Sequence, residues 1–210
     1  NIISGIGNML KLIPLGGLGE IGLNMMVVEY QDTIFIIDAG LMFPEDYMLG
    51  VDMVIPAMDY LRENREKVQG IIITHAHEDH IGALPYLLRE IRIPVYGTRF
   101  TLGIVRNKLV EFELNTRIDL NLVNPGETLS IEPFDIEFIR VSHSTIDGVG
   151  LAIRTPEGVV VHTGDFRISH DADPMKNTDI SSFARFGEEG VLALLSDSTN
   201  VEVEGYTVSE

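Results

Sequence analysis

The chain has 210 residues, of which 45% are hydrophobic and 22% charged, a composition typical of one globular domain or slightly more. It contains no cysteine, which excludes disulfides, zinc fingers and a thiolate nucleophile, so a metal ion has to be held by histidine and carboxylate. The formal net charge of −17 argues against attraction to nucleic acid unless bound cations supply it. The sequence has neither a run of about 18 apolar residues nor a secretory signal, so we expect a cytoplasmic protein without a membrane partner.

The predicted elements begin after residues 1–8, which have no periodic pattern and which we interpret as a disordered or cloning-derived end. Runs rich in Ile, Val and Phe predict nine strands, at residues 10–15, 25–30, 33–37, 70–73, 120–123, 134–141, 149–153, 159–162 and 191–195. Helical patterns occupy residues 57–68, 81–91 and 99–113, and Pro85 lies near the start of the second, where a missing N–H costs little. Some strands are apolar on both faces, which predicts an α/β fold with covered sheets.

Four candidate metal ligands follow the predicted strand at residues 70–73 in an H-x-H-x-D-H segment, namely His75, His77, Asp79 and His80. Residues two apart in an extended loop point the same way, so His75 and His77 can converge on one ion. Asp79 and His80, at the turn into the next helix, can face a second ion. The alternative interpretation is that these side chains cap the helix and are solvated. Four ligand residues at this spacing after a buried strand favour the metal site.

Two further candidates, His143 and Asp165, each follow a predicted strand. Six protein ligands exceed the four of one tetrahedral zinc ion, so we predict two ions. The first is held by His75, His77 and His143, the second by Asp79 and His80, and Asp165 bridges them. Two ions about 3.5 to 4 Å apart would hold a bridging hydroxide as nucleophile for an in-line displacement.

Four longer segments add a resemblance to a known family. They are residues 14–22 (PLGGLGEIG), 149–153 (VGLAI), 161–166 (VHTGDF) and 194–200 (LLSDSTN). Together with the H-x-H-x-D-H segment they resemble the ribonuclease J family, which belongs to the β-CASP group of the metallo-β-lactamase superfamily. The resemblance covers nearly the whole chain and implies a four-layer αββα sandwich. It also implies a hydrolase with endonuclease and 5′-to-3′ exonuclease activity on RNA, in RNA maturation and decay, including processing of ribosomal RNA.

The resemblance assigns roles to single residues. It makes the six residues above ligands of two divalent ions, zinc in preference to manganese, and it gives Asp79, Asp165 and Asp38 a part in catalysis. Asp38 would orient a ligand or the bridging water. The glycine-rich loop at residues 16–22 would lie beside the active site, although it lacks the Gly-Lys-Ser/Thr ending of a P-loop. Leu23 stands where the family usually has a basic residue, so one phosphate contact would be missing.

The resemblance also predicts how the chain is divided. Residues 9–198 would form the N-terminal part of the metallo-β-lactamase domain, and residues 199–210 would begin a truncated β-CASP insertion. The sandwich would then be incomplete at its C-terminal end, without a further metal-ligand histidine and a histidine implicated in catalysis. The full-length protein would bind RNA and form a homodimer or a higher homo-oligomer.

Two alternatives remain open at this point. The chain could be a metallo-β-lactamase-fold hydrolase of a small molecule, such as a thioester or a lactam, because one fold supports several chemistries. It could also be a weakly active or inactive half-site in isolation.

Overall fold

The computed structural model describes residues 9–168, 173 and 176–205. The predicted disordered end at residues 1–8 lies outside the described residues, and so does the last part of the predicted β-CASP segment, residues 206–210. Two sheets and five α-helices make up the described part of the chain. No helix within these ranges is both long enough and apolar enough to cross a membrane.

The first sheet contains six strands, which lie side by side in sequence order. They are β1 (Leu10–Gly16), β2 (Met25–Tyr30), β3 (Thr33–Ile37), β4 (Val68–Ile72), β5 (Val95–Gly97) and β6 (Leu120–Leu122). Strands β1 to β3 pair antiparallel, whereas β3 to β6 pair parallel. Parallel neighbours need crossover connections, which carry the helices α1 (Asp59–Glu63), α2 (Glu78–Ile81), α3 (Leu84–Glu90) and α4 (Arg99–Glu111).

The second sheet contains five strands, which are β7 (Thr128–Ile131), β8 (Phe134–Arg140), β9 (Val149–Thr155), β10 (Gly158–His162) and β11 (Val191–Leu195). Their order in the sheet is β11-β10-β9-β8-β7. Strands β7 to β10 form an antiparallel meander, and β11 pairs parallel to β10 after the crossover helix α5 (Ile180–Glu189).

Three apolar clusters separate four layers. Between the two sheets, the rings of Phe35 and Phe134 meet edge to face, with centroids 5.0 Å apart. A second cluster lies between the first sheet and helices α1 to α4, and a third lies where Phe186 of α5 packs on the outer face of the second sheet. The predicted αββα sandwich is therefore confirmed. On β11, Leu192 and Leu194 are 56% and 62% exposed, which is compatible with the predicted incomplete sandwich.

All nine predicted strands are present, but the helices differ from their predictions. The helix predicted at residues 57–68 is wrong in its second half, because α1 ends at Glu63, a 3-10 turn covers Arg65–Lys67, and Val68 begins β4. β-Branched Val68 is buried in the sheet, where its shape packs better than in a helix. The helix predicted at residues 81–91 is shorter in the structure, where Ile81 ends α2 and α3 begins at Leu84, with Pro85 in its first turn. The short strands β5 and β7 and the helix α5 were not predicted.

Candidate metal centre

The strand topology brings all six predicted ligands to one edge of the sandwich. His75 follows β4, which ends at this edge, and His143 and Asp165 follow β8 and β10 of the second sheet. The two sheets are joined at this point, where the backbone N–H of Val149 donates to the carbonyl of Thr74 at 3.0 Å. The ends of strands from both sheets therefore place loop side chains against one another.

The first cluster contains three histidines and one carboxylate, His75, His77, His143 and Asp165, whose ligand atoms all lie within 4.8 Å of one another. The Nδ1 atom of His77 is 3.0 Å from Nε2 of His75 and 3.2 Å from Nε2 of His143. Asp165 Oδ2 lies 3.5 Å from the same nitrogen of His143. Three imidazole nitrogens and one carboxylate oxygen match the ligand types and number of a tetrahedral zinc site.

The second cluster contains Asp79, His80 and Asp165, again with ligand atoms within 4.8 Å of one another. Nε2 of His80 lies 3.6 Å from Asp79 Oδ2 and 3.4 Å from Asp165 Oδ1. The two carboxylate oxygens of Asp165 thus face different clusters, which is the arrangement that a bridging ligand requires. The described chain supplies four candidate ligands to the first cluster and three to the second.

Asp38 lies behind the second cluster and does not belong to either ligand set. It follows β3 with a φ of 61°, a left-handed conformation that Asp tolerates better than most residues. Its carboxylate accepts hydrogen bonds from the backbone N–H of Thr74 at 2.7 Å and from the Thr74 hydroxyl at 2.8 Å. Its Oδ2 atom is also 2.8 Å from Nδ1 of His80. Asp38 therefore fixes the orientation of the His80 ring and leaves Nε2 directed at the cluster.

Charges and burial set the protonation of the clustered groups. Burial, with help from the neighbouring His80, lowers the pKa of His75 to about 2, and burial also lowers the pKa of His143. Burial lowers the pKa of His80 as well, but the carboxylates of Asp38 and Asp165 outweigh it and raise the pKa to about 10. Burial raises the pKa of Asp165, but the His80 ring reverses the shift and holds the pKa well below its ordinary value. His75 and His143 are therefore neutral and Asp165 is ionised, the forms in which these groups bind metals.

Three residues that the sequence did not single out hold the site in place. Thr74 anchors Asp38, as described above, and its hydroxyl lies 3.1 Å from Nδ1 of His75. Asn24 contacts both Asp79 and His80. Lys108 of α4 donates to Glu78 at 2.8 Å, which ties the loop that carries the ligands to the helical layer. Thr74 and Glu78 adjoin the ligands in the sequence, whereas no sequence signal connects Asn24 or Lys108 with them.

A cavity of about 720 Å³ opens next to the second cluster. The glycine-rich loop at residues 16–22 forms one wall and residues 194–203 form another, while Asp79, His80 and Asp165 line the inner end. The glycine-rich loop thus lies beside the clustered ligands, as the resemblance implied. The cavity thus gives access to Asp79, His80 and Asp165 from this side.

Comparison with known proteins gives matches over nearly the whole chain. The sequence profile of the Metallo-beta-lactamase superfamily matches residues 18–194. Ribonuclease J of Synechocystis sp. is 51% identical over 203 residues, which are 96% of this chain and 32% of the relative. Ribonuclease J of Thermus thermophilus is 45% identical and ribonuclease J2 of Bacillus subtilis is 44% identical, each over 95% of this chain and 36% of the relative. The chain thus spans about a third of the length of these relatives.

Solved structures agree with the fold. A protein of unknown function from Enterococcus faecalis superposes with a TM-score of 0.69 at 19% identity, over 95% of this chain and 52% of the other. Zinc-bound PqqB from Methylobacterium extorquens superposes with a TM-score of 0.57 at 12% identity, over 89% of this chain and 65% of the other. At these identities the likeness concerns the fold alone.

Proposed function

The chain belongs to the metallo-beta-lactamase superfamily, and on that premise we propose that it carries the metal-binding centre of a ribonuclease that hydrolyses RNA phosphodiesters. The observation that carries the proposal is the convergence of His75, His77, His143 and Asp165 beside a second group made of Asp79, His80 and the same Asp165. RNA as the substrate is supported by the ribonuclease names of relatives at 44% to 51% identity.

The ligand chemistry fits two divalent ions. His75, His77 and His143 would hold the first ion, Asp79 and His80 the second, and Asp165 would bind both. Divalent ions at these positions supply Lewis acidity toward phosphate oxygens and an activated water for attack on phosphorus. They also supply local positive charge in a chain whose net charge of −17 otherwise repels RNA.

The protein's own side chains would orient the ligands and confine the substrate. Asp38 keeps Nδ1 of His80 engaged, so that Nε2 is the nitrogen available to an ion. Thr74 contacts both His75, of the first cluster, and Asp38, which orients His80 of the second. It thereby fixes the two clusters relative to each other. The wall formed by the glycine-rich loop would confine an RNA strand against Asp79 and Asp165.

The finer features of the proposal come from the family resemblance. We propose that residues 9–198 form the metallo-β-lactamase domain, followed by a β-CASP insertion from residue 199. The length of the relatives, about three times that of this chain, supports further domains in the full protein. Zinc as the resident ion, endonuclease and 5′-to-3′ exonuclease activity, action on ribosomal RNA, a homodimer and a cytoplasmic location all remain predictions.

Cleavage of a labelled single-stranded RNA tests the function directly. The chain is assayed with zinc or manganese and with chelator, and the full-length Synechocystis relative serves as the positive control. We expect metal-dependent cleavage, weaker than that of the full-length relative, which Asp165→Ala abolishes and exposed Asp32→Ala leaves unchanged. Cleavage that persists in chelator, or turnover of a thioester or lactam with no cleavage of RNA, would contradict the proposal.

A further inference from the structure

Asn24 lies immediately before β2, between the glycine-rich loop and the second cluster. Its side-chain Nδ2 is 3.1 Å from the backbone carbonyl of Asp79, 3.3 Å from Asp79 Oδ2 and 3.1 Å from Nε2 of His80. Its backbone N–H donates to the same Asp79 carbonyl at 3.2 Å, and its own carbonyl accepts from Gly40 at 2.9 Å. One half-buried residue therefore contacts two of the three ligands of the second cluster.

The Asp79 carboxylate depends on this contact. Asp79 lies in α2, a helix of only four residues, and its side chain is 35% exposed. Within the described part of the chain, Asn24 is the one hydrogen-bond donor to this carboxylate, and the only charged partner within 4 Å is His80 at 3.6 Å. Without the amide, the Asp79 side chain could turn toward solvent, because an exposed aspartate has several rotamers of similar energy.

The backbone around Asn24 is held in one position. Gly40 closes against Asp79 so tightly that a Cβ built on it would lie 1.5 Å from the Asp79 carbonyl oxygen. On the other side, a Cβ on Gly17 would lie 2.7 Å from Oδ1 of Asn24. The amide is thus fixed between the glycine-rich loop and the ligand loop, as a group that orients a ligand needs to be.

We propose that Asn24 is a positioning residue for the second metal site, where its amide holds the Asp79 carboxylate at the second cluster before an ion binds. This inference rests on the two-ion centre proposed above. Groups that orient ligands typically change metal affinity by 10 to 100-fold when they are removed. The effect is confined to the second cluster, because Asn24 makes no hydrogen bond with His75, His77 or His143 among the described residues.

A zinc titration followed by NMR of the histidine side chains tests the inference without an activity assay. Chains labelled with 15N-histidine are titrated with chelator-buffered free zinc, and the imidazole signals of His80 and His77 report the second and first clusters separately. In Asn24→Ala, we expect the free zinc concentration for half-response of His80 to rise by about 10 to 100-fold. For His77 we expect a change of less than about threefold. Asn121→Ala, on the edge strand β6, is the matched control.

The outcomes separate the inference from the proposed function. An unchanged His80 response in Asn24→Ala would overturn the positioning role, and a His80 signal insensitive to zinc in the unsubstituted chain would overturn the second site and the inference with it. A normal His77 response shows that the variant is folded. If Asn24→Ala does not fold, Asn24→Ser replaces it, because its hydroxyl is too short to reach Asp79. The same rise in the free zinc concentration for half-response of His80 is then expected. Normal zinc responses without RNA cleavage would count against the ribonuclease proposal alone.

Discussion

Oδ2 of Asp38 lies 2.8 Å from Nδ1 of His80, and both side chains are 2% exposed. A buried imidazole that donates through one nitrogen to a carboxylate presents the other nitrogen in a fixed direction, and the carboxylate makes the ring a stronger ligand. The pair spans 42 residues of sequence and connects the end of β3 with α2. The orientation of the second cluster is therefore set by a residue that is not itself a ligand.

Substitution of Asp38 tests this relationship. Asp38→Ala is expected to weaken metal binding by about 10 to 100-fold, because His80 loses its orienting partner. Calorimetric titration with zinc measures the change, and Asp32→Ala, whose carboxylate is 93% exposed and pairs with Lys67 at 3.3 Å, is the control. Equal zinc affinity in both variants would show that Asp38 does not orient the ligand.

Gly40 gives a prediction about stability. An alanine Cβ at this position would lie 1.5 Å from the carbonyl oxygen of Asp79, so Gly40→Ala has to displace backbone and is expected to cost about 1–3 kcal/mol or more. Gly103 in α4 has no atom within 4 Å of the same position, and Gly103→Ala is expected to stabilise the protein by about 0.5–1 kcal/mol. Urea unfolding of the two variants distinguishes them, and a Gly40→Ala variant as stable as the wild type would refute the close approach.

The buried carboxylate of Glu29 should make the stability of the protein depend on pH. Its carboxylate is 3% exposed, accepts a hydrogen bond from the Tyr60 hydroxyl and lies 3.1 Å from Nζ of Lys11. Burial raises the pKa of Glu29, but these partners and Lys67 reverse the shift and lower it below the ordinary value. A lowered pKa in the folded state stabilises the protein above the unfolded-state pKa of about 4.3, and this contribution is lost as the pH falls.

The expected result is a difference between variants that changes with pH. The free energy of unfolding of Glu29→Gln should be about 1.5–3 kcal/mol lower than that of the wild type at pH 7. This difference should become smaller toward pH 3. Glu66→Gln, at a 91% exposed position, should match the wild type at every pH. The measurement is denaturant unfolding at several pH values, and a gap that is constant from pH 7 to pH 3 would rule out the ionic role of Glu29.

Metal removal should lower thermal stability through the same ligands. An ion that binds only the folded chain adds about 2.7 kcal/mol of stability at 100 times its dissociation constant. We expect chelator to lower the Tm of the zinc-loaded wild type more than that of zinc-loaded Asp165→Ala. Differential scanning calorimetry measures both, and an equal effect of chelator on the two chains would exclude Asp165 as a ligand.

Local patterns made much of the site predictable. His75, His77, Asp79 and His80 lie within six residues, so their spacing and the apolar strand before them were enough to predict two converging sets of ligands. Long-range contacts were not predictable in the same way. Asn24 reaches Asp79 across 55 residues, and only the packing of the glycine-rich loop against the ligand loop brings them together.

In the fold, too, strong local patterns were predictable and weak ones were not. Strands with strong apolar patterns were predicted, whereas β5 has only three residues, too few for a period to be recognised. Helix α5 does carry a signal in the sequence: Asp179 caps its first turn through Ser182, and Gly190 ends it. The helix predicted at residues 57–68 is too long because its charged pattern continues up to Val68. In the structure, Val68 is buried as the first residue of β4.

The most direct test of the two-ion centre is the metal content of the purified chain after equilibration with zinc and removal of free metal, measured by elemental analysis. We expect about two zinc ions per chain in the wild type, one in His77→Ala and at most one in Asp165→Ala. Less than one zinc ion per wild-type chain, or the same content in all three chains, would contradict the two-ion centre.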